Sequence, residues 1–183
     1  MKILVFAASL RKASFNRKLA IQITEILKTI SGTEIDHADY REFEMPMYDG
    51  DVEEARGVPA GGKEFVRRIQ GAQAIIISTP EYNGGIPGTL KNAIDWASRI
   101  KPNPLQGKFV LLTGASPGAL GAVRGLWHTR VPFEALGCMV YPEMFGVPAA
   151  HEAFDENNKL KDPKKLDQLH KLIQSYVGFF SRQ

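Results

Sequence analysis

Hydrophobic residues in this chain fall into short continuous runs that alternate with stretches of helical periodicity. The clearest runs read KILVFAA, AQAIIISTP and KFVLLTGAS. Uninterrupted apolar runs of this length are typical of strands that are buried on both faces of a parallel sheet. Five runs therefore predict β-strands, at residues 2–8, 35–38, 72–80, 108–116 and 138–147, and Pro142 interrupts the last of them.

Between these runs, apolar residues recur every three or four positions, which predicts amphipathic helices. The segment 40–59 lacks this periodicity, and we predict a long irregular connection there. Pro132 is expected to kink or shorten the fourth helix, because proline has no backbone N–H to donate. The periodic stretches cover residues 16–30, 59–69, 90–97, 121–136 and 166–177.

Strands that alternate with helices predict right-handed crossovers and a parallel sheet. The length of 183 residues suits one domain. We therefore expect a single α/β domain over residues 1–183, a three-layer sandwich whose five-stranded parallel sheet carries helices on both faces. Ligands of such sheets bind beyond the carboxyl ends of the strands. The loops in that position are SLRKASFN, PEYNGGIPG and SPGALG, which follow strands one, three and four.

Composition excludes several classes of protein. Hydrophobic residues make up 44% and charged residues 23%, which is ordinary for a globular protein. The net charge is +3, and the Lys and Arg residues are scattered along the chain, so we expect no nucleic-acid partner. No run is long enough for a membrane span, and the apolar start is too short for a signal peptide. Cys138 is the only cysteine, which excludes an internal disulfide and points to the cytoplasm.

Four familiar kinds of site lack the residues that they require. The first loop contains no glycine and cannot be a G-x-G-x-x-G dinucleotide turn, although Asp36 and Asp39 lie near the expected ribose-binding acid. A phosphate-binding Walker A sequence is absent, and a tyrosine-phosphatase loop would need a cysteine that the first loop lacks. His128 and His151 have no clustered partners, so we expect no metal site.

The first loop carries groups that suit a phosphate monoester. Ser9, Ser14 and Asn16 offer neutral hydrogen-bonding groups, and Arg11 offers a guanidinium. They stand beside the backbone amides that open the first helix, where anions bind readily. The alternative is that Ser14 or Asn16 only caps the helix and Arg11 is solvated.

The loop after strand three suits a planar ligand. Tyr82 offers an aromatic face, and Gly84 and Gly85 permit close approach of the backbone to a ring. The same residues would also form an ordinary tight turn that leads into the next helix. Ser116, in the loop after strand four, would supply a third wall.

The segments SLRKASFNRKLA, TPEYNGGIPGTLKNAIDWASR and SPG resemble, in order and spacing, the NADPH-dependent FMN reductase family, which includes bacterial quinone and chromate reductases. The resemblance implies a flavodoxin-like fold, non-covalent FMN, and NADPH or NADH as co-substrate. Electrons would pass to a small-molecule acceptor such as a quinone, a flavin, chromate or an azo compound. The flavin carries the chemistry, so no catalytic side chain is expected. The implied phosphate ligands are Ser9, Arg11, Ser14, Phe15 through its backbone, and Asn16; the implied ring contacts are Pro80, Glu81, Tyr82, Asn83, Gly84 and Ser116.

Other functions remain open at this point. The chain could be a flavodoxin-like FMN-binding electron carrier without NAD(P)H activity, although such carriers are typically acidic, or a regulatory module that only keeps the fold. The resemblance also implies a homodimer or homotetramer. Trp96, in the third helix, is either a core residue or a subunit contact.

Overall fold

Parallel strands form one sheet at the centre of the protein, which the computed structural model describes over residues 1–180. The strands run in the order β2-β1-β3-β4-β5, and β6 pairs with the carboxyl-terminal part of β4. All strand pairs are parallel, as expected for an α/β fold. The described strands are β1 (Lys2–Ala7), β2 (Glu34–Ala38), β3 (Ala74–Ser78), β4 (Phe109–Ala115), β5 (Met139–Val140) and β6 (Phe145–Val147).

The predicted fifth strand is present as the two short strands β5 and β6, so the sheet has six strands where the pattern predicts five. Tyr141 still donates its amide to the carbonyl of Val110 at 2.8 Å. Pro142 then leaves the ladder, because it has no N–H to continue the pairing. The chain rejoins β4 at Phe145.

Five predicted helices are confirmed, with small differences at their ends. The prediction of an irregular connection over 40–59 was wrong in part, because a short 3₁₀ helix (Tyr40–Phe43) and a further α-helix lie within it. That second helix buries none of its residues, so it has no apolar stripe for the sequence to reveal. The described helices are α1 (Phe15–Lys28), α2 (Gly50–Arg56), α3 (Ala60–Gly71), α4 (Gly88–Ala97), α5 (Val123–Ala135), α6 (Ala150–Ala153) and α7 (Pro163–Phe180).

Two hydrophobic cores lie on the two faces of the sheet. Side chains of β1 alternate between them: Ile3 and Val5 pack with α1 and α7, whereas Leu4 and Phe6 pack with α3 and α4. Period-two alternation with both faces covered explains why the strand reads as one apolar run. No helix of residues 1–180 has the length and apolar character needed to cross a membrane. The expected three-layer α/β architecture is confirmed.

The two tryptophans have opposite environments. Trp96 is 0% exposed, and its indole N–H donates to the carbonyl of Pro46 at 2.9 Å, so it is a core residue. On α5, Leu126 is buried, but Trp127 is 56% exposed. Val131 follows Trp127 by one helical turn and is 65% exposed, so α5 presents an apolar stripe to solvent.

Candidate functional site

The loops after β1, β3 and β4 meet at the carboxyl edge of the sheet and enclose one concave corner of about 60 Å³. Nine of the eleven residues expected to bind the cofactor line this corner. Asn83 and Gly84 lie on the adjoining turn instead. Ala115 and Pro117 also line the corner and were not anticipated, although both flank Ser116 in the chain. The nine are Ser9, Arg11, Ser14, Phe15, Asn16, Pro80, Glu81, Tyr82 and Ser116.

The amino-terminal end of α1 opens into this corner. Ser14 is the N-cap residue in an extended conformation, and its hydroxyl oxygen accepts the amide of Arg17 at 3.4 Å. The amides of Phe15 and Asn16 precede the first intrahelical bonds, so the helix offers them no acceptor. The Phe15 ring stacks on Phe154 with an interplanar angle of 5°, so the ring is packed against another part of the fold. The capping role expected of Ser14 is therefore present, and its hydroxyl hydrogen is still available for donation.

Asn16 links all three walls of the corner. Its side-chain amide donates to the carbonyl of Ala115 at 3.0 Å, and its side-chain oxygen accepts both the Ala115 amide and the Ser78 hydroxyl at 2.9 Å. The side chain therefore pairs with Ala115 as a neighbouring strand would. Because Asn16 is 3% exposed, these bonds join α1 to the ends of β3 and β4 in a dry environment.

A tight turn shapes the loop after β3. Tyr82 and Gly85 exchange two backbone hydrogen bonds, at 3.0 and 3.2 Å. Asn83 and Gly84, between them, have φ values of 51° and 77°. Two successive positive φ angles define a type I′ turn, which strongly favours the Asn-Gly pair. The turn leaves the Tyr82 ring 49% exposed at the rim of the corner.

Glu81 holds this turn against α5. Its carboxylate accepts the Gly125 amide at 3.0 Å and the Arg124 guanidinium at 2.9 and 2.5 Å. Burial of the carboxylate raises its pKa, but the bonds from Gly125 and Arg124 outweigh that effect and leave the pKa below its ordinary value. Glycine at position 125 permits this close packing, because a Cβ there would lie 3.0 Å from the Glu81 Cβ and would push the turn away from α5. No signal in the sequence links Glu81 to Arg124.

The loop after β4 is fixed by the neighbouring β6. The Ser116 amide donates to the carbonyl of Val147 at 3.1 Å, and the Ser116 carbonyl accepts the Ala150 amide at 3.0 Å. The Ser116 hydroxyl accepts the Gly118 amide at 3.2 Å. All three walls are thus held by hydrogen bonds within the protein.

The two aspartates singled out in the sequence have structural partners. Asp36 pairs with Arg68, and Asp39 caps the 3₁₀ helix and pairs with Arg17 at 2.9 Å. Burial raises the pKa of the Cys138 thiol to about 12, so it is an inert thiol. Within residues 1–180, no three His, Cys, Asp or Glu side chains come together as a metal site would require.

The donors in the corner fit the phosphate of FMN. A phosphate monoester accepts hydrogen bonds through three oxygens and is stabilised at a helix amino terminus. Two buried hydroxyls, two helix-opening amides and the exposed Arg11 guanidinium provide donors of that kind. The carboxylate of Glu81, which would repel the phosphate, is neutralised by its bonds to α5.

Sequence comparisons show which family the chain belongs to. The model of the family described as NADPH-dependent FMN reductase matches residues 1–152. The chain is similar to a quinone reductase of Escherichia coli K12, with 34% identity over 184 residues that cover 100% of this chain and 96% of the relative. It is also 34% identical to an NAD(P)H-dependent FMN reductase of Pseudomonas aeruginosa over 177 residues, covering 96% of this chain and 92% of that protein.

Solved structures agree on the fold. The flavoenzyme NAD(P)H:(acceptor) oxidoreductase FerB of Paracoccus denitrificans superposes with a TM-score of 0.82 at 26% identity, covering 99% of this chain and 97% of that one. An FMN-dependent NADH-azoreductase of Bacillus anthracis has the same fold, with a TM-score of 0.63 at 17% identity and coverage of 97% and 98%. The fold is therefore flavodoxin-like, and the chain belongs to the NADPH-dependent FMN reductase family.

Proposed function

We propose that the protein is an FMN-dependent NAD(P)H oxidoreductase whose acceptor is a quinone or a similar small molecule. The balanced reaction takes NADPH or NADH, one proton and a quinone to NADP⁺ or NAD⁺ and the hydroquinone. Family membership and the similarity to a quinone reductase over the whole chain support this proposal. The observation that carries it is the convergence of nine anticipated residues on one corner at the start of α1.

The residues divide by what each can offer to FMN. Hydroxyls of Ser9 and Ser14, the Arg11 guanidinium and the main-chain amides of Phe15 and Asn16 would hold the phosphate. The Asn16 side chain would act as a brace, because its bonds join the walls of the corner.

The ring would lie along the second and third walls. FMN held there would supply the two-electron redox chemistry that links the reduced nicotinamide to the acceptor. The chain orients it with Pro80, Glu81 and Tyr82 of one loop and Ser116 of the next. The main-chain amides of Asn83 and Gly84 lie at the tip of the turn as donors for the ring. Such fixed dipoles stabilise negative charge without titrating.

A flavodoxin-like electron carrier is the competing function. Both would be yellow when purified, so colour tests only flavin binding. Steady consumption of NADPH on addition of a quinone separates the reductase from the carrier. Holoprotein that binds FMN but oxidises no NADPH or NADH would overturn the reductase proposal.

The phosphate assignment has a sharper test. We expect Arg11→Ala combined with Ser14→Ala to weaken FMN binding by more than about 100-fold, because two charge-assisted bonds at roughly 1.5–3 kcal/mol each amount to roughly 3–6 kcal/mol. Riboflavin, which lacks the phosphate, should lose less than about threefold. Lys12→Ala is the matched control for a lost charge in the same loop. Equal losses for both flavins would refute the assignment.

We also propose that residues 1–183 form a single FMN-binding domain and that the protein assembles as a homodimer or homotetramer. We propose no nucleic-acid or membrane partner. The exposed stripe of Trp127 and Val131 on α5 supports self-association, since exposed apolar patches mark interfaces. Trp96 is buried and does not contribute to such a contact. The buried, unpaired thiol of Cys138 is consistent with a cytoplasmic location.

A further inference from the structure

A second cavity adjoins the concave corner between the loops after β1, β3 and β4, which we call the flavin corner. It measures about 370 Å³ and lies at the same edge of the sheet, between the first loop, the 3₁₀ helix, the segment after it and the start of α4. Leu10, which lines this cavity, stands in the chain between Ser9 and Arg11, which line the flavin corner. The two spaces therefore share one loop as their common wall. The apolar lining is supplied by Leu10, Tyr40, Phe43, Met45 and Met47.

One wall of the cavity is held rigidly from behind. The Asn92 side chain accepts the Tyr48 amide at 2.7 Å and donates to the Pro46 carbonyl at 2.9 Å. The buried indole of Trp96 donates to the same carbonyl at 2.9 Å. The backbone that carries Met45 and Met47 is thus fixed, and these two side chains flank the anchored Pro46.

The other walls are joined to each other. The Arg41 guanidinium donates to the Leu10 carbonyl at 2.5 Å, and the Tyr40 hydroxyl donates to the Thr89 carbonyl at 3.0 Å. These bonds connect the first loop, the 3₁₀ helix and α4, so the cavity is a built feature of the fold. Its charged lining residues, Arg41 and Glu44, are opposite in sign, which favours an uncharged ligand.

The methionines indicate what kind of ligand the cavity takes. Met47 is 73% exposed, the largest exposure of any large hydrophobic side chain in residues 1–180. Exposed apolar surface is unfavourable unless a ligand or partner covers it. Methionine is flexible and polarizable, so a pair of methionines adapts to apolar groups of varied shape.

We propose that this cavity receives the apolar arm of the electron acceptor, an alkyl or prenyl chain attached to a quinone ring. The inference rests on the proposed function, because the quinone ring itself has to reach the flavin. The arm crosses Leu10 and is buried against Met45, Met47 and Phe43. Each buried methylene stabilises the complex, so an arm of one prenyl unit lowers the KM of the quinone about tenfold or more.

The test uses two quinones with the same ring. Holoenzyme is assayed with 2,3-dimethoxy-5-methyl-1,4-benzoquinone and with the same ring that carries one prenyl unit. The KM ratio is the KM of the quinone without the prenyl unit divided by the KM of the quinone that carries it. We expect this ratio to fall severalfold in Met47→Gln, and further in Met45→Gln combined with Met47→Gln. Met47→Leu keeps an apolar side chain and should preserve the ratio. Met139→Gln is the matched control, since Met139 is 47% exposed and lies in β5, where it pairs with Phe109 at the end of β4 away from the cavity.

Activity with ferricyanide, which has no apolar arm, should stay unchanged in all four variants. An unchanged KM ratio in the double variant would overturn the inference while leaving the reductase intact. A selective rise in the KM of NADPH would also overturn it, because the cavity would then hold the nucleotide. If the unmutated holoenzyme shows no NADPH:ferricyanide activity, the proposed function is overturned, and this inference with it.

Discussion

Replacement of Asn16 by alanine tests whether the flavin corner is braced by this side chain. Three buried groups would lose their partner: the amide and the carbonyl of Ala115, which is 2% exposed, and the hydroxyl of Ser78, which is 1% exposed. A buried polar group without a partner costs about 1–3 kcal/mol. The Ser78 hydroxyl can rotate toward another acceptor, so we expect Asn16→Ala to lower the free energy of unfolding by about 3–5 kcal/mol.

Urea denaturation of the flavin-free protein measures this loss. A domain of this kind has about 5–15 kcal/mol of stability in total, so the midpoint should move markedly. Asn157→Ala is the control, because Asn157 is exposed. Ser78→Ala alone should cost about 1 kcal/mol. Combined with Asn16→Ala it should cost less than the sum by about 1 kcal/mol, since the two groups share one bond.

Flavin affinity separates the brace from a phosphate ligand. If Asn16 only holds the walls, Asn16→Ala weakens FMN and riboflavin by the same factor. A selective loss of FMN would mean that its side chain binds the phosphate. The brace would also be refuted by a loss of stability below about 1 kcal/mol, or by full additivity with Ser78→Ala.

Two further predictions concern α5. The pKa of Glu81 is lowered in the folded protein, so its contribution to stability is present above the ordinary glutamate pKa of about 4.3 and is lost as pH falls through the lower folded value. Between pH 6 and 3, the free energy of unfolding should therefore fall less steeply with pH in Glu81→Gln than in the unmutated protein, because glutamine keeps the shape but cannot titrate. Equal slopes for the two proteins would contradict the bonds to Gly125 and Arg124. Trp127→Glu should reduce the sedimentation coefficient to that of a monomer, whereas Ile21→Glu on α1 should not; a monomeric unmutated protein would contradict self-association.

The strands and the long helices could be predicted because each buries a continuous face. A strand covered on both sides, such as β1, shows a run of apolar residues, and α7 shows a stripe. The helix α2 could not be predicted by periodicity, because it buries no residue and depends on the Asp49 cap. The Asp49 side chain accepts the Asp51 amide at 2.9 Å, a local signal that many turns also carry.

The meeting of the three loops in one corner could be anticipated, because the place of each loop at the sheet edge follows from the topology. The contacts that hold those loops could not. The partner of Glu81 is Arg124, 43 residues away, and the pairing depends on how α5 packs against the turn. The second cavity was also missed, because Met45 and Met47 belong to a segment without periodicity. Its shape depends on Asn92, which lies 46 residues after Pro46.

Two buried asparagines have the same role, one at the flavin corner and one at the second cavity: each pairs with backbone groups of a neighbouring segment. Asn16 pairs with both backbone groups of Ala115, and Asn92 pairs with the Pro46 carbonyl and the Tyr48 amide. The last residue of β4 and the irregular segment around Pro46 both leave backbone groups without a strand partner on one side, so each needs a side chain to pair with them. A short side-chain amide both donates and accepts, whereas aspartate could not donate and glutamine is one methylene longer. Both spaces are shaped before a ligand arrives, so binding does not cost the conformational entropy of ordering these loops. The smaller entropy cost would favour affinity for the flavin and for the proposed acceptor.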